Sequence, residues 1–489
     1  MVNKIKNNNL IQESLNILIK AFQKGKYKEA ETLAKNILKN IPDEPISWKI
    51  LGIIYLTSGR FNKALYANQR ALKLVPNAPD TCNNLAITFY NLGRYQEAIK
   101  TSKEALKIDK NFVQAYGNLA DSLKAINKYQ DAIIYLKQAI KLDPNKVETH
   151  VSLADLFQKI GKIDDALNAY ENAIKLNSTY YPAYLNKANI LNDLGRFFDA
   201  IDVYNQVIKI KPDLAISYYN LANVQKKLNN VEDAVTNYKK ALEFNSNFAD
   251  GHYNLANTFS NIGQLNKADQ SYDKALKINP KNPKIWSNKL LNLNYNENFS
   301  YEYIFNQHKL FDEQFSYLYK NSIKNRIKNN RLRIGYVSAD FRKHSVAYFI
   351  KALLKNHNRR LIETFCYYNN YIIDDTTELL KTFCENWRSI FEMDNKDVFR
   401  KIKDDRIDIL VDLSGHTPGN KLLVFASKAA PIQITYLGYP NTTGLSTMDY
   451  RLTDKYADPG DSSDLLFSEK LIKLNKSFLC YSGNDDIIS

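Results

Sequence analysis

The sequence contains few glycines and prolines, the residues that turn or interrupt a chain. There are 16 Gly and 13 Pro among 489 residues, about 6%, whereas about 12% is usual in proteins. This scarcity argues against an all-β protein with many tight turns and predicts long stretches of helix. The four cysteines, Cys82, Cys366, Cys384 and Cys480, lie far apart without a C-x-x-C pair. Their spacing excludes a disulfide scaffold and a zinc ribbon, and it is typical of a reducing compartment.

Long hydrophobic runs and a secretion signal are also missing. No run of 18 apolar residues occurs, and the N-terminal MVNKIKNNNLIQ has no apolar stretch, so we expect no membrane span and no secretory signal. The formal net charge is +15, but the lysines are dispersed and form no basic stripe interleaved with aromatics. We therefore expect no nucleic-acid partner and no membrane partner, and we predict a cytoplasmic protein.

A repeat of 34 residues occupies the first part of the chain. Eight units begin at 11, 45, 79, 113, 147, 181, 215 and 249, without insertion or deletion. Position 20 of every unit is alanine, and position 15 is glycine or asparagine, the residues that tolerate the left-handed conformation ending a helix. Proline stops the second helix at position 32 in five units. Each unit is thus predicted to be a helix pair, and the pattern resembles the tetratricopeptide repeat.

Asparagine recurs at position 6 of the first helix, and Asp or Asn at position 9 in the middle units. Positions three apart share a helix face, and the first helices of such stacked pairs line the inner groove. Because an amide carries both donors and an acceptor, we predict that this column binds the backbone of an extended peptide. The alternative is that asparagine is simply abundant. The predicted ladder consists of Asn84, Asn118, Asn186, Asn220, Asn254 and Asn288 at position 6, and it includes the position-9 residues Asp121, Asp155, Asn189, Asn223 and Asn257.

A different pattern begins at Arg331. Short apolar runs alternate with helical candidates of 10–12 residues, which is typical of βαβ units in a parallel sheet. The runs are 332–339, 364–368, 407–413, 432–438 and 449–454. Ligands bind such sheets at the carboxyl ends of the strands. We therefore expect His344, His416 and the loop 438–444, which follow predicted strands, to meet at one crevice.

We predict four segments along the chain. Residues 1–10 are an N-terminal extension, 11–295 are eight repeats with a capping helix, 296–330 are a helical connector, and 331–489 are a Rossmann-like lobe. The expected fold class is an α superhelix, a tetratricopeptide-repeat solenoid, followed by an α/β lobe.

Three stretches of the C-terminal third are distinctive. They are RIGYVSADFRKHSV (333–346), DILVDLSGHTPGN (408–420) and APIQITYLGYPNTTG (430–444). Together with the repeats they resemble the repeat-bearing O-linked N-acetylglucosamine transferases, a family that includes the SPINDLY-like proteins. The resemblance implies a two-lobed glycosyltransferase of the GT-B type, which transfers N-acetylglucosamine from UDP-GlcNAc to Ser or Thr of proteins held in the groove. A fucosyl-transferring relative and a catalytically inactive protein-binding scaffold are the alternatives.

The resemblance also implies roles for individual residues. His344 and His416 match positions at the catalytic centre, where an imidazole can accept the proton of the attacking hydroxyl. A donor-facing loop is formed by Thr442, Thr443 and Gly444. No D-x-D triplet occurs, so we expect no metal and no cofactor, with the UDP-sugar as a substrate. The chain stops at Ser489, and we expect a second Rossmann-like half, carrying most of the nucleotide-sugar site, beyond it.

Overall fold

The computed structural model describes residues 2–316, 330–460, 463–481 and 483. They fall into two compact units, Met1–Asp213 and Leu214–Ser489. The first unit contains the helices of the first six repeats, and the second contains the last two repeats and the α/β region. Within the described residues, no helix combines the length and the apolar character needed to cross a membrane.

The described part of the first unit consists of twelve helices, two for each repeat. They are α1 Val2–Gln23, α2 Tyr27–Asn40, α3 Pro45–Thr57, α4 Phe61–Leu74, α5 Pro79–Asn91, α6 Tyr95–Ile108, α7 Val113–Ala125, α8 Tyr129–Leu142, α9 Val147–Lys159, α10 Ile163–Leu176, α11 Tyr181–Asp193 and α12 Phe197–Ile210. Helix α1 begins at Val2, inside the segment 1–10 that we expected as an extension. Met1 lies outside the described residues.

The second unit opens with six further helices. They are α13 Ala215–Lys227, α14 Val231–Phe244, α15 Ala249–Asn261, α16 Leu265–Ile278, α17 Pro283–Leu293 and α18 Tyr301–Phe315. Helix α17 lies where we expected a capping helix, and α18 lies within the segment 296–330 that we expected as a connector. Residues 317–329 of that connector lie outside the described residues.

The residues that recur at positions 15 and 20 of the repeat set the backbone conformation at the turn and the packing of the helices. The position-15 residues all have positive φ, between 61° and 76°: Gly25, Gly59, Gly93, Asn127, Gly161, Gly195, Asn229 and Gly263. The position-20 alanines are all 0% exposed: Ala30, Ala64, Ala98, Ala132, Ala166, Ala200, Ala234 and Ala268. A methyl group at these sites lets neighbouring helices approach closely, so the period is maintained by steric fit.

A parallel sheet forms the α/β region, and its seven strands in the described residues have the order β3-β2-β1-β4-β5-β6-β7. The strands are β1 Leu332–Ser338, β2 Ile362–Tyr368, β3 Asn386–Ser389, β4 Ile409–Asp412, β5 Ile432–Thr435, β6 Tyr450–Asp454 and β7 Lys470–Leu474. The helices between them are α19 Ser345–Lys355, α20 Asp375–Phe383, α21 Asn395–Asp404 and α22 Leu422–Ala426, with a 3-10 turn at Ser463–Leu466.

Helices cover both faces of this sheet. On β1, Ile334 and Tyr336 belong to one buried cluster with residues of α19 and α20. Val337 points the other way, into a cluster with residues of α17, α18, α21 and α22. The predicted fold class, tetratricopeptide repeats followed by an α/β region, is confirmed. All five predicted apolar runs contain or overlap a strand, whereas the short edge strands β3 and β7 were not predicted.

Candidate functional site

The predicted ladder residues lie half-buried on the first helices of their repeats. In the second unit the Asn254 amide donates to Asn223 Oδ1 of the preceding repeat at 3.1 Å and to the Tyr219 hydroxyl at 2.8 Å. The Asn288 amide makes the equivalent bonds one repeat later, to Asn257 Oδ1 at 2.8 Å and the Tyr253 hydroxyl at 3.0 Å. Each of these two amides therefore joins two repeats through its nitrogen.

Buried tyrosines orient the position-9 amides. The hydroxyl of Tyr238 donates to Asn223 Oδ1 at 2.6 Å, and that of Tyr272 donates to Asn257 Oδ1 at 2.7 Å. Burial raises the pKa of Tyr238 well above its ordinary value, so the hydroxyl keeps its proton and remains a donor.

These bonds determine which ladder atoms remain available. Asn257 uses its oxygen, and Asn254 and Asn288 each use the nitrogen. Within the described part of the chain, no hydrogen bond engages the nitrogen of Asn257 or the oxygens of Asn254 and Asn288. These side chains thus present both a donor and acceptors that are not used within the described residues.

The first unit shows a variant of this arrangement. Asn186 donates to Asp155 Oδ1 at 3.2 Å, and the Tyr170 hydroxyl donates to the same oxygen. Asn118 donates instead to Asn83 at 2.6 Å. Asn84 lies on α5, and Asn220 lies on α13 of the second unit.

The second group of predicted residues lies at the carboxyl ends of β1, β4 and β5. The loop after β4 is folded by Asp412, whose carboxylate accepts from the amides of Ser414 at 3.1 Å and Gly415 at 2.9 Å. Burial raises the pKa of Asp412 to about 6. The same loop contacts the loop after β2, because the Asn369 amide donates to Gly419 O at 2.7 Å.

His344 lies at the N-terminus of α19, in the loop after β1, with its side chain 38% exposed. Its Nδ1 accepts from the backbone amide of Val346 at 3.3 Å. Asp340 Oδ2 lies 3.9 Å from the same nitrogen. Since Nδ1 is an acceptor in this arrangement, the proton of the neutral ring is on Nε2.

His416 is placed differently, because it is 0% exposed. Its Nε2 donates to Thr443 O at 2.9 Å, and its Nδ1 accepts from the Ser287 hydroxyl at 3.2 Å. Burial and the neighbouring His308 hold the pKa of His416 well below its usual range. A neutral ring with both nitrogens occupied joins α17 to the loop after β5. The two predicted histidines therefore share one edge of the sheet but not one environment.

A second buried histidine, His308 of α18, completes this junction. Its Nδ1 donates to Ile304 O at 2.7 Å, and its Nε2 accepts from the Tyr439 hydroxyl at 2.8 Å. That hydroxyl in turn accepts from the Asn294 amide at 2.6 Å. No sequence motif surrounds His308, so the sequence gives no signal for its role. Gly444 packs against it, since a Cβ there would lie 2.2 Å from His308 O.

The predicted donor-facing threonines are 0% exposed. The Thr442 hydroxyl donates to Glu469 Oε2 at 2.6 Å. The Thr443 amide donates to Glu469 Oε1 at 2.7 Å, and its hydroxyl donates to the same oxygen. Arg451, 6% exposed, donates to the carbonyls of Tyr439 and Asn441 at 3.0 and 2.9 Å. Glu469 and Arg451 thus hold the loop in shape, and neither was predicted.

The ladder and the loop after β4 meet at one cavity. This cavity, of about 660 Å³, is lined by Asn257 and Asn288 of the ladder and by Pro418 of the loop. All of its lining residues belong to the second unit. The cavity therefore lies beside the loop that follows β4.

Different protein-family models match the repeats and the α/β region. Residues 304–485 match the model of glycosyl transferase family 41. Tetratricopeptide-repeat models match 19–79, 80–145, 147–180, 188–229, 226–263 and 249–282. These matches confirm the resemblance drawn from the sequence.

Individual proteins that are similar to this chain carry descriptions as N-acetylglucosaminyltransferases or O-GlcNAc transferases. A rice protein (Oryza sativa subsp. japonica) described as a probable UDP-N-acetylglucosamine–peptide N-acetylglucosaminyltransferase SPINDLY is 39% identical over 214 residues, which are 42% of this chain and 23% of the relative. A Caenorhabditis elegans UDP-N-acetylglucosamine–peptide N-acetylglucosaminyltransferase is 34% identical over 152 residues, 30% of this chain and 13% of the relative. The solved structure of a mutant O-GlcNAc transferase from Thermobaculum terrenum matches with a TM-score of 0.54 and 28% identity over 62% of this chain and 58% of that one. The chain thus spans about a quarter or less of the curated relatives.

Proposed function

Because the chain combines tetratricopeptide repeats with a glycosyl transferase family 41 domain, we propose that it binds protein acceptors in its repeat groove for transfer of N-acetylglucosamine from UDP-GlcNAc to Ser or Thr. The observation that carries this proposal is the cavity shared by Asn257, Asn288 and Pro418. A polypeptide bound along the amides of the second unit would reach the carboxyl edge of the sheet, where ligands of parallel sheets bind.

In the reaction, a bond forms between the acceptor oxygen and the anomeric carbon while the bond from that carbon to UDP breaks. The hydroxyl proton must leave, and we assign its acceptance to His344. In the observed arrangement Nε2 carries the ring proton, because Nδ1 accepts from Val346. In the other tautomer the Val346 amide gives up its bond to Nδ1, the ring proton lies on Nδ1 towards Asp340 Oδ2 at 3.9 Å, and Nε2 is free to act as a base. Asp340 is then a positioning residue.

His416 and the loop with Thr442, Thr443 and Gly444 support the site from behind in this proposal. The His416 bond to Thr443 O and the Glu469 contacts to both threonines hold the loop in shape, with the backbone amides of Thr442, Thr443 and Gly444 bonded inside the protein. His416 is thus better suited to positioning this loop than to accepting the hydroxyl proton. We further propose that neither a metal nor a cofactor takes part, in keeping with the missing D-x-D triplet, and that the protein is cytoplasmic.

The test measures peptide binding and sugar transfer separately on the purified chain. Binding is followed by fluorescence anisotropy with labelled Ser/Thr peptides, and transfer by incorporation from radiolabelled UDP-GlcNAc, with GDP-fucose as the comparison donor. Replacing both Asn254 and Asn288 by Ala should weaken binding about tenfold or more, since two hydrogen bonds to the peptide backbone, one to each side-chain oxygen, are lost. Asn205→Ala, an exposed amide on α12, is the matched control and should bind normally.

The measurement of sugar transfer tests the proposed role of His344 as the base. His344→Ala should lower the rate by about 10²–10⁴, the usual contribution of a general base. His344→Asn keeps a side-chain acceptor at the start of α19 but not the base, so it should restore stability and leave the rate low. An unchanged rate in either variant removes His344 from the mechanism. Peptide binding without any transfer would favour the scaffold over an enzyme, and transfer from GDP-fucose alone would identify the fucosyl relative.

A further inference from the structure

Lys226, in the last turn of α13, is a half-buried cation that has no partner among the residues the structure describes. Burial lowers the pKa of its ammonium group. No ion pair or hydrogen bond of that ammonium exists within the described ranges of the chain. Two other lysines that are not exposed have partners: Lys289 pairs with Asp273 at 2.6 Å and Lys428 pairs with Asp449 at 2.6 Å. A desolvated charge that lacks a counter-ion is costly, and an incoming anion would remove that cost.

Lys226 lines the cavity of about 660 Å³ at the end of the amide ladder. None of the described residues that line it is Asp or Glu. Asn257 contributes a free nitrogen, because its oxygen already accepts from Tyr272 and Asn288. Asn261 adds an amide that makes no side-chain hydrogen bond within the described residues, and the Tyr295 side chain, 68% exposed, lies at the rim. The cavity therefore presents a positive charge and hydrogen-bond donors but no negative charge.

We propose that this cavity binds a carboxylate of the acceptor polypeptide, an Asp or Glu side chain close to the Ser or Thr that receives the sugar. The inference rests on the proposed function of the groove. Two ladder residues, Asn257 and Asn288, line the cavity, so a chain bound to the ladder passes through it. Pro418 of the loop after β4 lines the same cavity, which places the recognised side chain near the candidate site. Because the ladder contacts only the peptide backbone, it binds any sequence. Lys226 adds a preference for an acidic side chain.

The experiment compares two labelled peptides that differ only in one residue near the Ser, Asp in one and Asn in the other. The unmodified protein should bind the Asp peptide about fivefold more tightly, as a partly buried ion pair supplies. Lys226→Met, which keeps the length of the side chain, should abolish the preference, and Lys226→Arg should retain it. Lys277→Met removes an exposed charge from α16 and should leave the preference unchanged. Raising the salt concentration should weaken the preference.

Other outcomes would overturn the assignment. Equal binding of the two peptides, with affinity still dependent on Asn254 and Asn288, would refute the role of Lys226 and leave the groove proposal intact. If neither peptide binds, the groove proposal fails and this inference fails with it. Inorganic phosphate is added in a separate arm at matched ionic strength. If it removes the Asp preference at concentrations below those at which sodium acetate does, the cavity is a phosphate site, and the carboxylate assignment is wrong.

Discussion

The hydroxyl of Tyr439 donates a hydrogen bond to Nε2 of His308 across 2.8 Å. This bond joins residues 131 positions apart in the chain, and it ties α18 to the loop after β5. His416 packs beside it, with its ring centre 5.3 Å from each of the two partners. The repeat-side helices of the second unit are thus bonded to the loops of the candidate site through buried, neutral imidazoles.

The first prediction concerns the pH dependence of this junction. Burial lowers the pKa of His308 to about 4, whereas the unfolded chain has the ordinary value of about 6.5. Between these values the unfolded state binds the proton that the folded state excludes, so stability is complete above about pH 6.5 and falls as the pH drops to about 4. By about pH 5 the loss should be about 2 kcal/mol.

Urea unfolding of the wild type and of His308→Gln, each at neutral and acidic pH, checks this. The variant should be less stable at neutral pH, because Tyr439 and Ile304 lose a partner, but its stability should depend less on pH. Burial also lowers the pKa of His416 and raises that of Asp412, and these two shifts change stability with pH in opposite directions. Because His308 contributes to the shift of His416, the difference between the two proteins reports His308 together with its effect on His416. Equal pH dependence would contradict the prediction.

The second prediction concerns the tyrosine that orients a ladder amide. Tyr238→Phe removes the hydroxyl that donates to Asn223 at 2.6 Å. We expect a loss of about 1 kcal/mol in the free energy of unfolding. Peptide affinity should also fall a few-fold, since the Asn223 amide loses a bond that orients it. Tyr301→Phe, in a side chain 76% exposed, is the control. Unchanged peptide affinity in Tyr238→Phe would show that the ladder needs no such support.

The third prediction tests the steric role of the position-20 alanines. Ala166 is 0% exposed in α10, so Ala166→Leu forces extra volume between closely packed helices. Overpacking of this kind costs about 1–3 kcal/mol, which urea unfolding would detect. Asn172→Leu adds an apolar side chain to an exposed position of the same helix and should change stability by less than about 0.5 kcal/mol. Similar effects of the two substitutions would refute the packing argument.

Much of the fold was predictable because its signals are local. The left-handed turn at Asn127, with φ of 61°, follows from a residue type at a fixed position, and the strand β4 follows from one apolar run. The edge strand β3 has only four residues, too few for a recognisable pattern. The Tyr–Asn bonds had a visible signal that was not used: tyrosine occupies position 24 in four units, at Tyr170, Tyr204, Tyr238 and Tyr272.

The candidate site was less predictable. His344 and His416 both follow strands, and the sequence alone treats them as equivalent. Only the docking of α17 and α18 shows that Ser287 covers His416, whereas His344 stays accessible. Glu469 and Arg451 were also missed, because each acts on a loop that is distant along the chain.

The amino-acid sequence by itself determined the helix pairs, their 34-residue period and the parallel α/β region, because helix ends, small packing residues and apolar runs depend on neighbours within about one repeat. The tertiary structure alone decided which polar groups remain available: the free amide atoms of the ladder, the unpaired Lys226 in the part of the chain that the structure describes, and the buried state of His416. The reason is physical. Whether a polar group is free depends on the partners that packing brings to it, and His416 meets Ser287 across 129 positions of the chain.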